Sequence, residues 1–351
     1  RLPARVQLEA LDYLLTQDAT KARSAITATL DTLQRATFPS GEQLAPGMLL
    51  STGAMVYDWC YDQLTAQEKS DYVAAFIRVA TNAGLWPYAV SAPITGYGSE
   101  YVYLRDLLAV AIAIYDEYPQ MYNAVKAGFV EAYVPPRNFT YDAGNFHQGT
   151  NYINIRFVSD LLSQAAFMKM GIDPLYNVTQ KNVLYDFIYR RRPDGVYMPA
   201  GDVNPAAGNQ ISMVAHFASS LYGDSYLANE VIGSLNSIVF THMMIHALVL
   251  GDFSINKTAP DNLPLTRFSP KPFGWMIART GWDSNSAIVE MKVNENMFAN
   301  HQHLDGGAFQ IYYKGPLAID SGAYEGAQGG YNSDHNKKYF KRTIAHNSLL
   351  L

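Results

Sequence analysis

The chain has 351 residues, 48% of them hydrophobic and 16% charged, with a formal net charge of −5. This balance excludes a globally basic nucleic-acid-binding surface, so any polyanion must be held by a local cluster. A single cysteine, Cys60, excludes an internal disulfide, and no apolar run approaches the ~20 residues of a membrane-spanning helix.

The length is enough for two domains. No signal peptide is visible. The first residues, "RLPARVQLEALDYLL", enter an amphipathic helix with no element before it, and "RTIAHNSLLL" ends on an apolar, strand-like run. Both ends therefore read as cut, and a fragment of a longer protein is expected.

Up to about residue 250 the pattern is helical. Val6, Leu8, Leu11 and Leu14 share one helix face, and similar segments follow near 22–36, 47–63, 66–83, 99–117, 147–170, 177–190, 207–222 and 225–248. The links carry turn residues, as in "PSGEQLAPG" and "YRRRPDG". Many helices without strands predict a bundle, solenoid or toroid. From Gly251 the composition changes. Residues 251–265 read as a linker, and from 266 come β-rich runs, "GWMIART", "SAIVEMKV", "GAFQIYYKG" and "PLAIDSG". Helices first and strands later predict an α+β chain with two domains in series.

Three stretches could carry chemistry. In "NFHQGTNYINIRF", Tyr152 and Arg156 stand four apart and share a helix face. A guanidinium near a phenol favours the phenolate and lowers its pKa. The plain alternative is a packed tyrosine with a surface arginine, and a capping or core role for His147. In "TGYGSEYVYLRD", Gly98 and Ser99 mark a helix start, with Glu100 in the first turn where the helix dipole stabilises its charge. In "NHQHLDGGAFQIYYKGPLAIDSG", His301 and His303 lie two apart, which on a strand puts both on one face. They read as one metal site, as a base beside a metal site, or as a polar strand face. His303, Asp320 and His346, two imidazoles and a carboxylate on separate predicted strands, suit zinc. His216, His242 and His246 read as core or interface histidines.

Taken together, these stretches resemble heparinase II, among the heparinase II/III-like bacterial polysaccharide lyases. The resemblance runs from "RVQLEALDYLLTQD" to "KRTIAHNSLL" and is most specific in "GAMVYDWCYDQL", "YRRRPDG", "PFGWMIARTGW", "EMKVNE", "NHQH", "GAFQIYYKGPLAID" and "FKRTIAHNSLL". It implies a helical (α/α) toroid over residues 1–250, then the first part of an antiparallel β-sandwich domain over 266–351. The implied reaction is β-elimination at a uronic acid of heparin or heparan sulfate, leaving a C4=C5 double bond. By matching motif, Tyr152 resembles the central tyrosine that serves the leaving oxygen, His301 a catalytic histidine and Glu100 the active-site glutamate. Asn300 is placed to help hold the uronate carboxylate, and Arg156 and Tyr324 belong to the substrate cleft. His303, Asp320 and His346 match a structural zinc site, so "NHQH" reads as a base beside a metal ligand. The resemblance further implies a homodimer and a periplasmic or secreted enzyme.

One departure bears on specificity. At position 97, a substrate-binding position, the family has a histidine where this chain has Tyr97. Glucuronate and iduronate present the C5 proton on opposite faces. A phenol near pKa ~10 is a weaker base at neutral pH than an imidazole near ~6.5. Activity on one epimer and weaker activity on the other is therefore expected. The "SGEQLAPG" stretch also lacks an expected substrate-contacting arginine. These departures leave room for another uronate polymer, such as hyaluronan, chondroitin or alginate. A glycosidase with two carboxylates and a non-catalytic glycan-binding protein are the other readings.

Overall fold

The computed structural model describes residues 2–39, 41–87, 99–172, 175–204, 211–238, 243–294, 297–324 and 329–349. Helices fill the described chain up to Leu250 and an antiparallel sheet follows, so the expected fold class is borne out in both its parts. Two compact units form. The first takes residues 1–135, 162–170 and 235–249; the second takes 136–161, 171–234 and 250–351. The second unit thus joins helical segments from before residue 250 to the sheet that follows it.

In the first unit, Leu2–Thr16, Ala19–Arg35, Leu44–Trp59 and Ala66–Asn82 are α-helices. Small residues such as Ala10, Ala25 and Ala54 are buried and let the helices approach, while Tyr57, Tyr72 and Phe76 fill the space between them. Tyr57 meets Tyr72 and Phe76 edge-on, with ring centroids 5.5 and 6.2 Å apart. Helix starts follow from local chemistry. The Asp18 side chain accepts from Thr20 N–H, and Thr65 with Glu68 closes a capping box. Further on, Ser99–Leu107 is π-helical and Leu108–Ala113 α-helical. Glu100 falls in the first turn, as expected, but its side chain is not among those described. Tyr97 and His242 lie outside the described residues.

The second unit is built on a five-stranded sheet: β1 (Thr266–Ser269), β2 (Trp275–Arg279), β3 (Ile288–Lys292), β4 (Phe309–Tyr312) and β5 (Pro316–Ala318). The strands lie in chain order and every neighbouring pair is antiparallel. One face packs on the helix Asn182–Arg190 and the segment after it, through Tyr189, Met198, Ile277, Ile288 and Tyr312. The other face carries Phe268, Met276, Met291 and Phe309, paired in register across four strands and all exposed. Such an apolar row is the kind of face that a second sheet covers in a sandwich.

β3 also turns charge inward. Ile288, Glu290 and Lys292 are buried while Val289 and Met291 face out. Glu290 accepts from Arg190 Nη2 at 2.6 Å, and Lys292 Nζ lies 3.6 Å from Glu290 and 2.7 Å from Asp305. Each buried charge therefore has an opposite neighbour, without which burial would be prohibitive.

Two strand expectations are corrected. Residues 297–308, which hold both "NHQH" histidines, form an irregular connection between β3 and β4 rather than a strand. Ala299 (φ 62°) and Asn300 (φ 55°) adopt left-handed conformations that no strand accommodates. The closing run is also not a strand over its described residues, 342–349: Thr343–Ala345 is a 3₁₀ turn, followed by bends. His303, Asp320 and His346 therefore sit on loops beside the sheet.

Candidate active site

The segment carrying Tyr152 changes pitch at that residue. Gly149–Tyr152 is α-helical and Ile153–Phe157 π-helical. Gly149 (φ 74°) and Gly201 (φ 63°) let this segment, the "PAGD" loop and the His301 loop approach backbone to backbone; a Cβ on Gly201 would lie 2.7 Å from the His301 carbonyl oxygen. Asp202 N–H then donates to that carbonyl at 3.2 Å, and Tyr324 N–H donates to Val203 O at 3.2 Å. Four separate parts of the sequence meet in this way within one compact unit.

The side chains form a layered cluster. The His301 ring lies flat on the Tyr152 ring, centroids 3.5 Å apart and planes 15° apart. The Tyr152 hydroxyl donates to Tyr324 Oη at 2.9 Å. The Arg156 guanidinium carbon is 4.8 Å from the Tyr152 ring centroid, its Nη2 is 3.2 Å from His301 Nε2, and its Nη1 donates to Gln148 Oε1. Tyr152, Arg156, His301 and Tyr324 are thus brought together. Asn300 immediately precedes His301, and its carbonyl accepts from Lys341 Nζ. His147 is buried against Phe146 and Phe298, as a core histidine would be. Glu100 belongs to the other compact unit.

A residue that sequence reasoning missed organises both histidines. Asp202 is fully buried, with Oδ2 2.6 Å from His301 Nδ1 and Oδ1 3.0 Å from His303 Nε2. Asn336 Nδ2 also donates to Oδ1, at 2.9 Å. Nothing in "PAGDVNP" signals this, because the loop has no periodicity and its partners lie about a hundred residues away.

Protonation follows from burial. Burial raises the Tyr152 phenol well above its usual value, Tyr324 and Asp202 act the same way, and the opposing Arg156 charge is the weaker effect. Arg156 does act to lower this pKa, as expected, but the net direction is upward, since a half-buried phenolate loses more hydration than one guanidinium returns. Burial pushes His301 down to about 4 despite its bond to Asp202, and pushes His303 down as well. Burial works to raise the Asp202 carboxyl, but the hydrogen bonds from His301 and His303 outweigh it and hold the group below its ordinary value.

Beside this cluster lies a second one. Among the described residues, Asp305, Asp320 and His346 form a buried group whose potential ligand atoms lie within 4.8 Å of one another. Asp320 and His346 were expected there. The third expected ligand, His303, adjoins them, with Nδ1 3.3 Å from His346 Nε2. Asp305 is the least free of the four: its Oδ2 accepts from Lys292 at 2.7 Å and its Oδ1 from Asn294 at 2.7 Å. Asp320 Oδ1 and His346 Nδ1 are buried and 2.9 Å apart. A buried cluster of carboxylate oxygens and imidazole nitrogens is a donor set compatible with a metal ion.

Residues 270–351 match the model of the family described as Heparinase II/III-like, C-terminal. No curated protein matches the chain. Solved structures do. The chain is similar to heparan sulfate lyase HepC from Pedobacter heparinus, with a TM-score of 0.63 at 14% identity, covering 99% of this chain and 52% of that one. It is similar to a crystal structure of heparinase III, with a TM-score of 0.57 at 14% identity, covering 97% and 52%. A second heparinase III gene product gives a TM-score of 0.61 at 12% identity, covering 99% and 54%. The chain therefore spans about half the length of these structures, and at such identities the likeness shows the shared fold.

Proposed function

We propose that the protein is a polysaccharide lyase that cleaves heparin or heparan sulfate by β-elimination at a uronic acid. The observation that carries this reading is the stack of His301 on Tyr152, with Arg156 against both rings. The heparinase II/III-like match over residues 270–351 supports the substrate class.

Each group has a role in the proposed reaction. Elimination needs the C5 proton made removable, a base to take it and an acid to protonate the departing O4. Arg156 and Asn300 would neutralise and hold the uronate carboxylate, so that charge developing at C5 is stabilised. His301, kept neutral by its burial, would accept the C5 proton as the electron pair forms the C4=C5 bond. Tyr152, kept protonated, would give its proton to O4 as the C4–O4 bond breaks, and Tyr324 would orient that hydroxyl. Glu100 is proposed as a further active-site group. A zinc ion held by His303, Asp320 and His346 would be structural: it would fix the loop that carries His301 and take no part in the bond changes.

Tyr97, where the family has histidine, is proposed to weaken action on one uronate epimer. Substrates of defined epimer test this, and comparable turnover on glucuronate and iduronate would refute it. A periplasmic or secreted homodimer acting on a uronate-containing polysaccharide completes the proposal. Among the described residues no helix is long and apolar enough to cross a membrane. The reading is tested by offering the full-length protein a panel of heparin, heparan sulfate, hyaluronan, chondroitin and alginate, and following ultraviolet absorbance of the unsaturated product. Absorbance with the heparin-type polymers is expected. Its appearance only with another polymer would move the substrate, and new reducing ends without absorbance would replace elimination by hydrolysis.

A further inference from the structure

We infer that Asp202 is the positioning residue that sets the tautomers of both loop histidines, and so couples the metal centre to the proton-transfer group. The inference builds on the lyase reading for its functional consequence, while its geometry stands apart from it.

The hydrogen-bond partners fix the protons. Arginine is a donor only. Arg156 Nη2 faces His301 Nε2 at 3.2 Å, so Nε2 carries the lone pair and Nδ1 the proton. That proton points at Asp202 Oδ2, 2.6 Å away. Asp202 Oδ1 already accepts from Asn336 Nδ2 at 2.9 Å, so it acts as an acceptor toward His303 Nε2 at 3.0 Å as well. His303 therefore carries its proton on Nε2 and its lone pair on Nδ1. Nδ1 is the atom that faces His346, 3.3 Å from its Nε2.

One carboxylate thus gives two adjacent imidazoles opposite tautomers. His301 presents Nε2 toward Arg156, beside the Tyr152 ring, and His303 presents Nδ1 toward the metal-ligand cluster. A carboxylate can do this because it accepts at both oxygens. An amide cannot, since it offers one acceptor and one donor. Asp202→Asn keeps the shape but must turn its NH₂ toward one of the rings, which flips that tautomer or leaves it unpaired. Outer partners of this kind orient metal-bound histidines and raise their basicity.

The test uses the full-length protein and its Asp202→Asn variant, with three readouts. Long-range proton–nitrogen NMR of the wild-type imidazoles should show His301 protonated on Nδ1 and His303 on Nε2. Zinc added to metal-stripped protein should bind about 10–100-fold more weakly to Asp202→Asn. Turnover should fall about 10²-fold or more in kcat with KM little changed, because a misplaced tautomer harms the transition state more than substrate binding. The reverse tautomer at either ring in the wild type would overturn the inference, even if the variant fails to fold. Unchanged zinc affinity or unchanged kcat in a folded variant would also overturn it. If tautomers and zinc binding behave as stated but no uronate polymer is turned over, the lyase reading fails and the role of Asp202 in the metal centre stands.

Discussion

The hydroxyl of Tyr152 is held by Tyr324, Oη to Oη at 2.9 Å, while its ring carries His301 on one face. Tyr152 is thus fixed at both ends, by a stack and by a hydrogen bond from its reactive atom. In Tyr324→Phe the ring stack survives and the hydroxyl loses its partner. A neutral hydrogen bond is worth about 0.5–1.5 kcal/mol, so kcat should fall about two- to tenfold with KM nearly unchanged. Steady-state kinetics check this, and an unchanged kcat would remove Tyr324 from the reaction.

The candidate metal-ligand cluster shares its carboxylates with an ammonium. Lys292 Nζ lies 2.7 Å from Asp305, 3.6 Å from Glu290 and 3.9 Å from Asp320, all buried. Burial alone would lower the lysine pKa, but these three carboxylates outweigh it and raise it. Lys292→Met removes this ammonium and leaves buried Asp305 and Asp320 without its compensating charge, while Glu290 keeps Arg190. A destabilisation of about 3–5 kcal/mol is expected in denaturant titration. A loss under about 1 kcal/mol would mean that another cation neutralises the cluster.

Acid sensitivity in the helical unit should pass through Glu68. Its hydrogen bond from Arg23, then those it accepts from the Thr65 N–H and hydroxyl, hold its carboxyl down to about 2 against the opposing effect of burial. A depressed carboxylate pKa stabilises the fold fully above the unfolded value near 4.5, and that contribution is lost as pH falls toward about 2. Arg23 is 42% exposed, so the effect is modest and falls with salt. Glu68→Gln should lower stability at pH 7 and flatten its decline between about 4.5 and about 2. Melting curves across that range check it, and parallel curves for the two proteins would refute it.

Much of this was legible in the sequence, for identifiable reasons. The alternation in "SAIVEMKV" yields β3, because a half-buried strand repeats every two residues. Tyr152 and Arg156 meet as their four-residue spacing predicted, although the turn between them is π-helical. What failed were inferences that needed three dimensions. Left-handed Ala299 and Asn300 bend "NHQH" out of any strand, and the two imidazoles are related through one carboxylate rather than by a strand face. Asp202 gave no signal because its partners are distant in sequence. The direction of the Tyr152 pKa depended on burial, which local sequence does not report. β1, only four residues at the edge of a linker-like stretch, was too short for its period to register.

Tyr152 and His301 are proposed to transfer the protons of an elimination. This role is tested most directly by following ultraviolet absorbance while the full-length protein, Tyr152→Phe and His301→Ala act on heparan sulfate, with folding checked by melting temperature. Tyr152→Phe keeps the ring and removes only the hydroxyl. Absorbance from the wild type and a loss of about 10²–10⁴-fold in kcat for each variant are expected. Wild-type rates in either folded variant would contradict this role.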